Sequence, residues 1–254
     1  MSTTYHIIRC RPATLYLREI LLHTDYKTEE FVLINTDMKQ NIALFRHHPE
    51  CSQDCCDGMI QSLGNNYNIT LFSEDELDQD LLDNADVIAF PGGIGDSESY
   101  NNFFKRKKEN LVADFVASGG YYLGICMGAY WAGSNYFDIL DGVEPEQYIN
   151  RPNADVKRSY STVADVTWNG QQEKMFFYDG CALVGDTNKF KTVASYANGD
   201  PMAIIQNRIG IIGCHPESQQ YWYDKPRQYI NQYWHQGHHH NILLEFVDEL
   251  TAQH

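Results

Sequence analysis

Tyr121 to Tyr130, near the middle of the chain, constrain its fold more than any other stretch, reading Y-Y-L-G-I-C-M-G-A-Y. Tyr121, Tyr122 and Leu123 form a short apolar run of the kind that ends a buried strand. Gly124-Ile125-Cys126-Met127-Gly128 follows as G-x-C-x-G, and Ala129, Tyr130, Trp131 and Ala132 are compatible with a helix. A strand that turns sharply into a helix strains its turn residue. The side chain then projects above the sheet, beside the first backbone N–H groups of the helix. Glycines two residues to either side remove the Cβ atoms that would clash in so tight a turn. A cysteine at that apex lies at a helix N-terminus, where the dipole favours thiolate over thiol. The same residues also fit a buried cysteine between two packing glycines, since free cysteine is among the most buried residue types.

The flanking sequence supplies the sheet that such an elbow needs. Asn41 to Arg46, Asn68 to Phe72 and Asp86 to Phe90 read as strands, and Asp57 to Leu63, Asp75 to Asn84 and Asn102 to Ser118 as helices. The last has Phe104, Leu111, Val112, Phe115 and Val116 spaced for one buried face, with Gly119-Gly120 as its stop. This alternation predicts an α/β fold with a doubly wound, mainly parallel sheet and flanking helices, whose ligands bind at the carboxyl ends of the strands. The pattern then changes. Lys157 to Trp168, Lys174 to Phe177, Lys191 to Tyr196 and Met202 to Gln206 read as strands with short turns such as Asn169-Gly170, an antiparallel extension that returns to the sheet at Ile209 to Gly213. Asn241 to Leu250 carries Ile242, Leu243, Phe246, Val247 and Leu250 at helical spacing and is expected on the sheet. Residues 1–40 hold no motif and read as an N-terminal extension packed on a core domain of residues 41–254.

Composition narrows the partners. A formal net charge of −15 argues against nucleic acid, whose phosphates need clustered cations. The basic run Lys105-Arg106-Lys107-Lys108 reads as a solvated helix face. No apolar run reaches membrane-spanning length and the first residues lack a signal-peptide pattern, so no membrane contact and a cytoplasmic location are expected. Seven cysteines do not read as a disulfide framework. His47, His48, Cys51, Cys55 and Cys56 cluster in the loop after the first strand, beside the elbow, but match no common zinc spacing, so no metal is expected there. His235, His238, His239 and His240 read as a solvated helix start. Tyr221, Trp222, Tyr223, Tyr229, Tyr233 and Trp234 form an aromatic segment that fits a lid, a partner-facing surface or a loop stapled to the core.

Gly213-Cys214-His215-Pro216-Glu217 follows the apolar run Ile209 to Ile212. A histidine and an acid two residues apart can share one side of an extended segment. Cys126 as nucleophile, His215 as proton shuttle and Glu217 as orienter make the arrangement that attack on an amide or ester carbonyl requires. Donors for the oxyanion are expected from Gly92 and Gly93, which follow a buried strand, and from the N–H of Met127. The bland alternatives are a core histidine in a turn and an ordinary βα turn.

G-I-C-M-G with a later H-P-E resembles the class I glutamine amidotransferase superfamily. P-G-G-I-G-D-S-E-S-Y followed by G-G-Y-Y-L-G-I-C-M-G-A-Y is most similar, within it, to the N-terminal domain family of biotin–protein ligases. The similarity covers about Asn41 to Glu217. It implies a flavodoxin-like fold, no cofactor, a small amide substrate and a thioester intermediate. It also implies that Asp96, Tyr100 and Tyr130 face the substrate, although Asp96 and its neighbours would equally cap a helix at Asn102. One departure stands out. Glutamine-hydrolysing members carry Gln four residues after the nucleophile, where this chain has Tyr130. No ammonia-using domain and no biotin-ligase signature are present in the sequence, so an ammonia-accepting synthetase would be a separate partner. The resemblance also admits a non-catalytic binding module on the same scaffold, or a DJ-1-like hydrolase.

Overall fold

The computed structural model describes residues 39–47, 52–94, 100–101, 104, 109–224 and 228–252. The proposed extension, apart from its last two residues, lies outside this set, as do Asp96 and the basic run. Eleven strands are described: β1 Asn41–Phe45, β2 Asn68–Phe72, β3 Val87–Phe90, β4 Tyr121–Ile125, β5 Val143–Gln147, β6 Thr162–Trp168, β7 Gln171–Phe177, β8 Cys181–Gly185, β9 Lys191–Tyr196, β10 Pro201–Gln206 and β11 Ile209–Ile212. The helices are α1 Gln53–Leu63, α2 Gln79–Asp83, α3 Glu109–Ala117, α4 Met127–Trp131, α5 Gln220–Asp224 and α6 His238–Thr251.

Nine strands form one sheet in the order β2-β1-β3-β4-β11-β10-β9-β6-β7, and β5 pairs with β8 in a second, two-stranded sheet. The first five are mutually parallel, and β10, β9, β6 and β7 continue antiparallel. The doubly wound half and the antiparallel extension are therefore one continuous layer. The β3 and β4 strands are buried along their whole length, which is why their sequences run apolar rather than alternating. By contrast β6 alternates buried and half-buried residues, as a strand with one wet face must.

Aromatic residues fill the space between α4 and the sheet. Phe90 packs at ring distances of 5.0 Å on Phe137 and 5.6 Å on Tyr122, and Tyr100 at 5.1 Å on Phe137. On the other face α6 lies against α1 and over β4 and β11. Gly210 admits it: a Cβ there would lie 2.8 Å from Phe246 and 2.9 Å from Leu250.

Some elements differ from the sequence reading. The acidic helix expected over Asp75 to Asn84 is broken into a 3-10 turn, Glu74–Glu76, and the short α2. Ser73 and Glu76 close a capping box over the turn, and Asp78 accepts the N–H of Leu81 at 2.8 Å. Two cap residues so close together offer the backbone local partners that end one helix and start another. The strand expected from Lys157 begins only at Thr162, and β5 and β8, which pair only with each other, were not foreseen.

Candidate active site

Cys126 links β4 to α4 with φ 50° and ψ −101°. A non-glycine residue in this region carries a strain of about 1–3 kcal/mol, which persists only where the surroundings over-determine it. Here the two glycines do so. A Cβ on Gly124 would lie 2.4 Å from the Gly128 carbonyl oxygen, and one on Gly128 would lie 2.1 Å from that of Phe90. The G-x-C-x-G spacing thus lets strand, turn and helix pack at backbone contact, leaving the cysteine at the apex.

His215 follows β11, the strand in register with β4 through Ile212 and Ile125. That pairing brings the imidazole to the elbow. Its Nδ1 lies 2.8 Å from Glu217 Oε1, and both side chains are buried. Burial by itself pushes the imidazole pKa down, but Glu217 and the thiol of Cys126 outweigh it and hold His215 well above its ordinary value. Cys126 directs its Sγ to the Tyr178 carbonyl at 3.6 Å and lines the same cavity as the imidazole.

A cavity of about 1000 Å³ opens over this group. Cys126, His215, Gly93, Met127 and Tyr130 line it, with Phe176, Tyr221 and Trp222 as an aromatic wall and Asp54 and Asp179 as acidic lining. Met127 opens α4, so its N–H has no partner within the helix. Gly92 lies behind the site: a Cβ there would fall 2.6 Å from His215 Cε1 and 2.9 Å from Cys55 Sγ. Tyr130 turns its ring to the cavity and donates its hydroxyl to the Asp179 carbonyl at 3.1 Å. Tyr100 corrects the expectation from resemblance. It is fully buried among Phe104, Trp131, Tyr136 and Phe137, because its ring completes the aromatic core rather than the cavity wall.

Sequence reasoning missed Cys55 as a site residue. It lies in the first turn of α1, is buried, lines the cavity and brings its Sγ within 4.8 Å of donor atoms of His215 and Glu217. Burial pushes its thiol up to about 11. The signal was its place just after β1, at the same sheet edge as the elbow. The aromatic segment is stapled inward: Phe176, Tyr223 and Ile230 form a small core, and Trp222 packs at 5.7 Å from the His215 ring. The histidine cluster is another correction, since His239 and His240 are buried. His235 and His240 both donate from Nε2 to the Ser218 carbonyl, at 3.1 and 2.9 Å, and His239 Nε2 meets Glu173 at 3.1 Å. These partners, just beyond Glu217 and on β7, draw the rings out of water.

Several solved structures share this architecture. A glutamine amidotransferase from Thermotoga maritima aligns over 84% of this chain and 99% of its own, with a TM-score of 0.62 at 11% identity. A putative GMP synthase protein from Thermoplasma acidophilum aligns over 83% and 98%, with a TM-score of 0.52 at 16% identity. A glutamine amido transferase from Methylobacillus flagellatus covers 74% of each chain at 14% identity, with a TM-score of 0.52. The fold is class I glutamine amidotransferase-like. Within it, residues 46–142 match the family described as biotin-protein ligase, N terminal. No curated protein matches the sequence. The matched residues 46–142 include Gly92, Gly93, Cys126, Met127 and Tyr130, whereas His215 and Glu217 lie beyond them.

Proposed function

We propose that the chain is a cysteine-dependent amidotransferase-like enzyme or amide hydrolase acting through a thioester on a small amide. The observation that carries this reading is the strained Cys126, which lines one cavity with an imidazole that Glu217 holds at 2.8 Å. In this reading His215 takes the thiol proton as Cys126 Sγ attacks the amide carbonyl, and Gly92, Gly93 and Met127 N–H groups receive the oxyanion. Collapse of the tetrahedral intermediate expels the amine, protonated by His215, and leaves a thioester. Water or another nucleophile then releases the acyl group. An open cavity supports an enzyme over a module whose site is filled by Tyr130 or the aromatic segment.

The substrate is read as an amide other than glutamine. Tyr130 replaces the expected Gln and gives its one hydroxyl proton to the Asp179 backbone. The described lining carries Asp54 and Asp179 but neither Lys nor Arg, so a substrate carboxylate meets no lysine or arginine there. If glutamine-derived ammonia is passed on, a synthetase partner must accept it. Residues 41–254 would carry the whole activity, with the preceding residues as an added layer. In the decisive experiment a panel of primary amides, glutamine included, is assayed for ammonia release, with Cys126→Ala, His215→Ala and the double variant alongside. Each single variant should lose nearly all turnover and the double little more, because triad members act as a unit. Turnover that survives Cys126→Ala, or losses that multiply, would refute the assignment.

A further inference from the structure

The cavity over Cys126 has a character that the amide chemistry above does not require. Among the described residues five large hydrophobic side chains are exposed, and three of them, Ile94, Tyr178 and Tyr221, line it. Apolar side chains left in water around a cleft mark a surface that a ligand covers. Asp54 and Asp179 share the lining, and neither forms an ion pair among the described residues. His215 adds a positive charge, but the Glu217 carboxylate answers it at 2.8 Å. The charge left over in the lining is negative. We propose that the substrate is a primary amide whose acyl part carries an ammonium or guanidinium group. Its carbonyl lies at Cys126, and its cation is held by Asp179, Asp54 and the rings of Tyr178, Tyr221 and Trp222. This inference deepens the proposed function and rests on it for the reaction.

Asp179 carries most of the argument. It stands in the turn between β7 and β8, one residue after Tyr178, whose carbonyl accepts from Cys126 Sγ at 3.6 Å. Its charge is thus close to the nucleophile along the backbone, with ~3.8 Å between consecutive Cα atoms. The residue is held at both ends. Tyr130 donates its hydroxyl to the Asp179 carbonyl at 3.1 Å, and Gln147 Nε2 donates to both carboxylate oxygens, at 3.2 and 3.1 Å. A neutral amide orients a carboxylate without cancelling its charge. Nor does the turn demand that charge, since its φ of 54° suits Asn as well as Asp. Asp54 lies in the first turn of α1, where the helix dipole also favours an acid, so Asp179 is the sharper probe. Aromatic faces attract ammonium and guanidinium groups, Trp most strongly, and add to the pull of the two acids. In the reaction, Cys126 Sγ bonds the carbonyl carbon, the C–N bond breaks, and ammonia leaves with the proton that His215 took from the thiol. Water then cleaves the thioester through His215. Amide and water become ammonia and a carboxylic acid with no change of oxidation state. The new carboxylate meets Asp54 and Asp179, which favours release of the product.

The test separates charge preference from turnover. Three primary amides of one chain length, ending in an ammonium, a methyl group and a carboxylate, are titrated calorimetrically into Cys126→Ala protein. The ammonium-ended amide should bind at least about tenfold tighter than the methyl-ended one, and the carboxylate-ended one more weakly than either. Asp179→Asn should cut the ratio between the first two about fivefold, and Trp222→Leu should weaken the ammonium-ended amide by a similar factor. Asp54→Asn, on an exposed helix turn, should lower the ratio independently of the β7–β8 turn. Asp80→Asn removes an exposed carboxylate of α2 outside the cavity and should leave the ratio unchanged. In the wild-type protein, kcat/KM for ammonia release should follow the same order. No preference for the cation, or a preference that survives Asp54→Asn and Asp179→Asn together, would overturn the proposal. Cation-selective binding without turnover of any amide would sustain the cation site and remove the proposed enzyme. Turnover without the preference would do the reverse.

Discussion

At the scale of single residues, the site depends on what is missing as much as on what is present. Gly128 carries no Cβ because one would lie 2.1 Å from the Phe90 carbonyl oxygen, an atom of the sheet backbone that cannot yield. Gly128→Ala is therefore expected to destabilise the fold by at least about 2 kcal/mol and to displace the elbow. Urea denaturation would read the loss as a lower midpoint at unchanged slope. The two cavity thiols should also differ. Cys55 is pushed up to about 11 by burial, so iodoacetamide at neutral pH should modify Cys126 first, and mass-spectrometric mapping would show this. His215 makes a pH prediction. Its folded pKa is raised above the unfolded value, so the stability it contributes is complete below about 6.5 and is lost as pH rises through the folded pKa. Glu217→Gln removes the main cause of the rise. Melting temperatures across pH should then fall less steeply on the alkaline side than in the wild type.

At the scale of elements, α6 is tied to the site through its start. His235 Nδ1 accepts the N–H groups of Gly237 at 3.1 Å and His239 at 3.2 Å, while its Nε2 donates to the Ser218 carbonyl. The imidazole thus caps a helix N-terminus that has no other side-chain cap. Only the neutral ring with its proton on Nε2 can serve, because protonating Nδ1 removes the acceptor. Burial, followed by the neighbouring His239 and His240, holds His235 down to about 3. The folded state therefore resists a proton that the unfolded chain accepts, and stability is lost as pH falls below about 6.5 toward 3. Protection factors in the first turn of α6, taken against the intrinsic exchange rate at each pH, should fall between pH 7 and pH 5, and His235→Asn, which keeps an acceptor but does not titrate, should flatten that change. The opposite helix makes a second test. A Cβ on Gly58 of α1 would lie 2.2 Å from the Glu217 carbonyl oxygen. Gly58→Ala should push α1 from the site and slow turnover, despite the better helix propensity of alanine.

At the scale of the whole molecule, the charge of −15 is unbalanced by any comparable set of cations. Self-repulsion among carboxylates destabilises a compact state and is screened by salt over a Debye length of about 10 Å at 0.1 M. Raising sodium chloride from low to moderate concentration should therefore raise the melting temperature. The same acidity reaches the cavity through Asp54 and Asp179, so ammonia release from glutamine alone should be weak or absent. Among the described residues no helix is long and apolar enough to cross a membrane.

Much of this could be read from the chain itself, because local chemistry governs it. The G-x-C-x-G spacing implied the elbow, since only glycine tolerates backbone contacts as close as those of Gly124 and Gly128. Continuous apolar runs marked β3 and β4, and alternation marked β6. The sequence also put Cys126, His215 and Glu217 forward together, and the pairing of β4 with β11 brings them together. What tertiary structure alone decided concerns residues whose neighbours are remote in the chain. Cys55 joins the site because α1 starts at the carboxyl edge of β1 and Gly92 admits its thiol beside His215. Tyr100 leaves the cavity because the aromatic core behind α4 takes its ring. His239 and His240 are buried because Glu173 and Ser218, distant in sequence, supply their hydrogen bonds. Composition and spacing carry no record of such partners, which exist only once the sheet has closed.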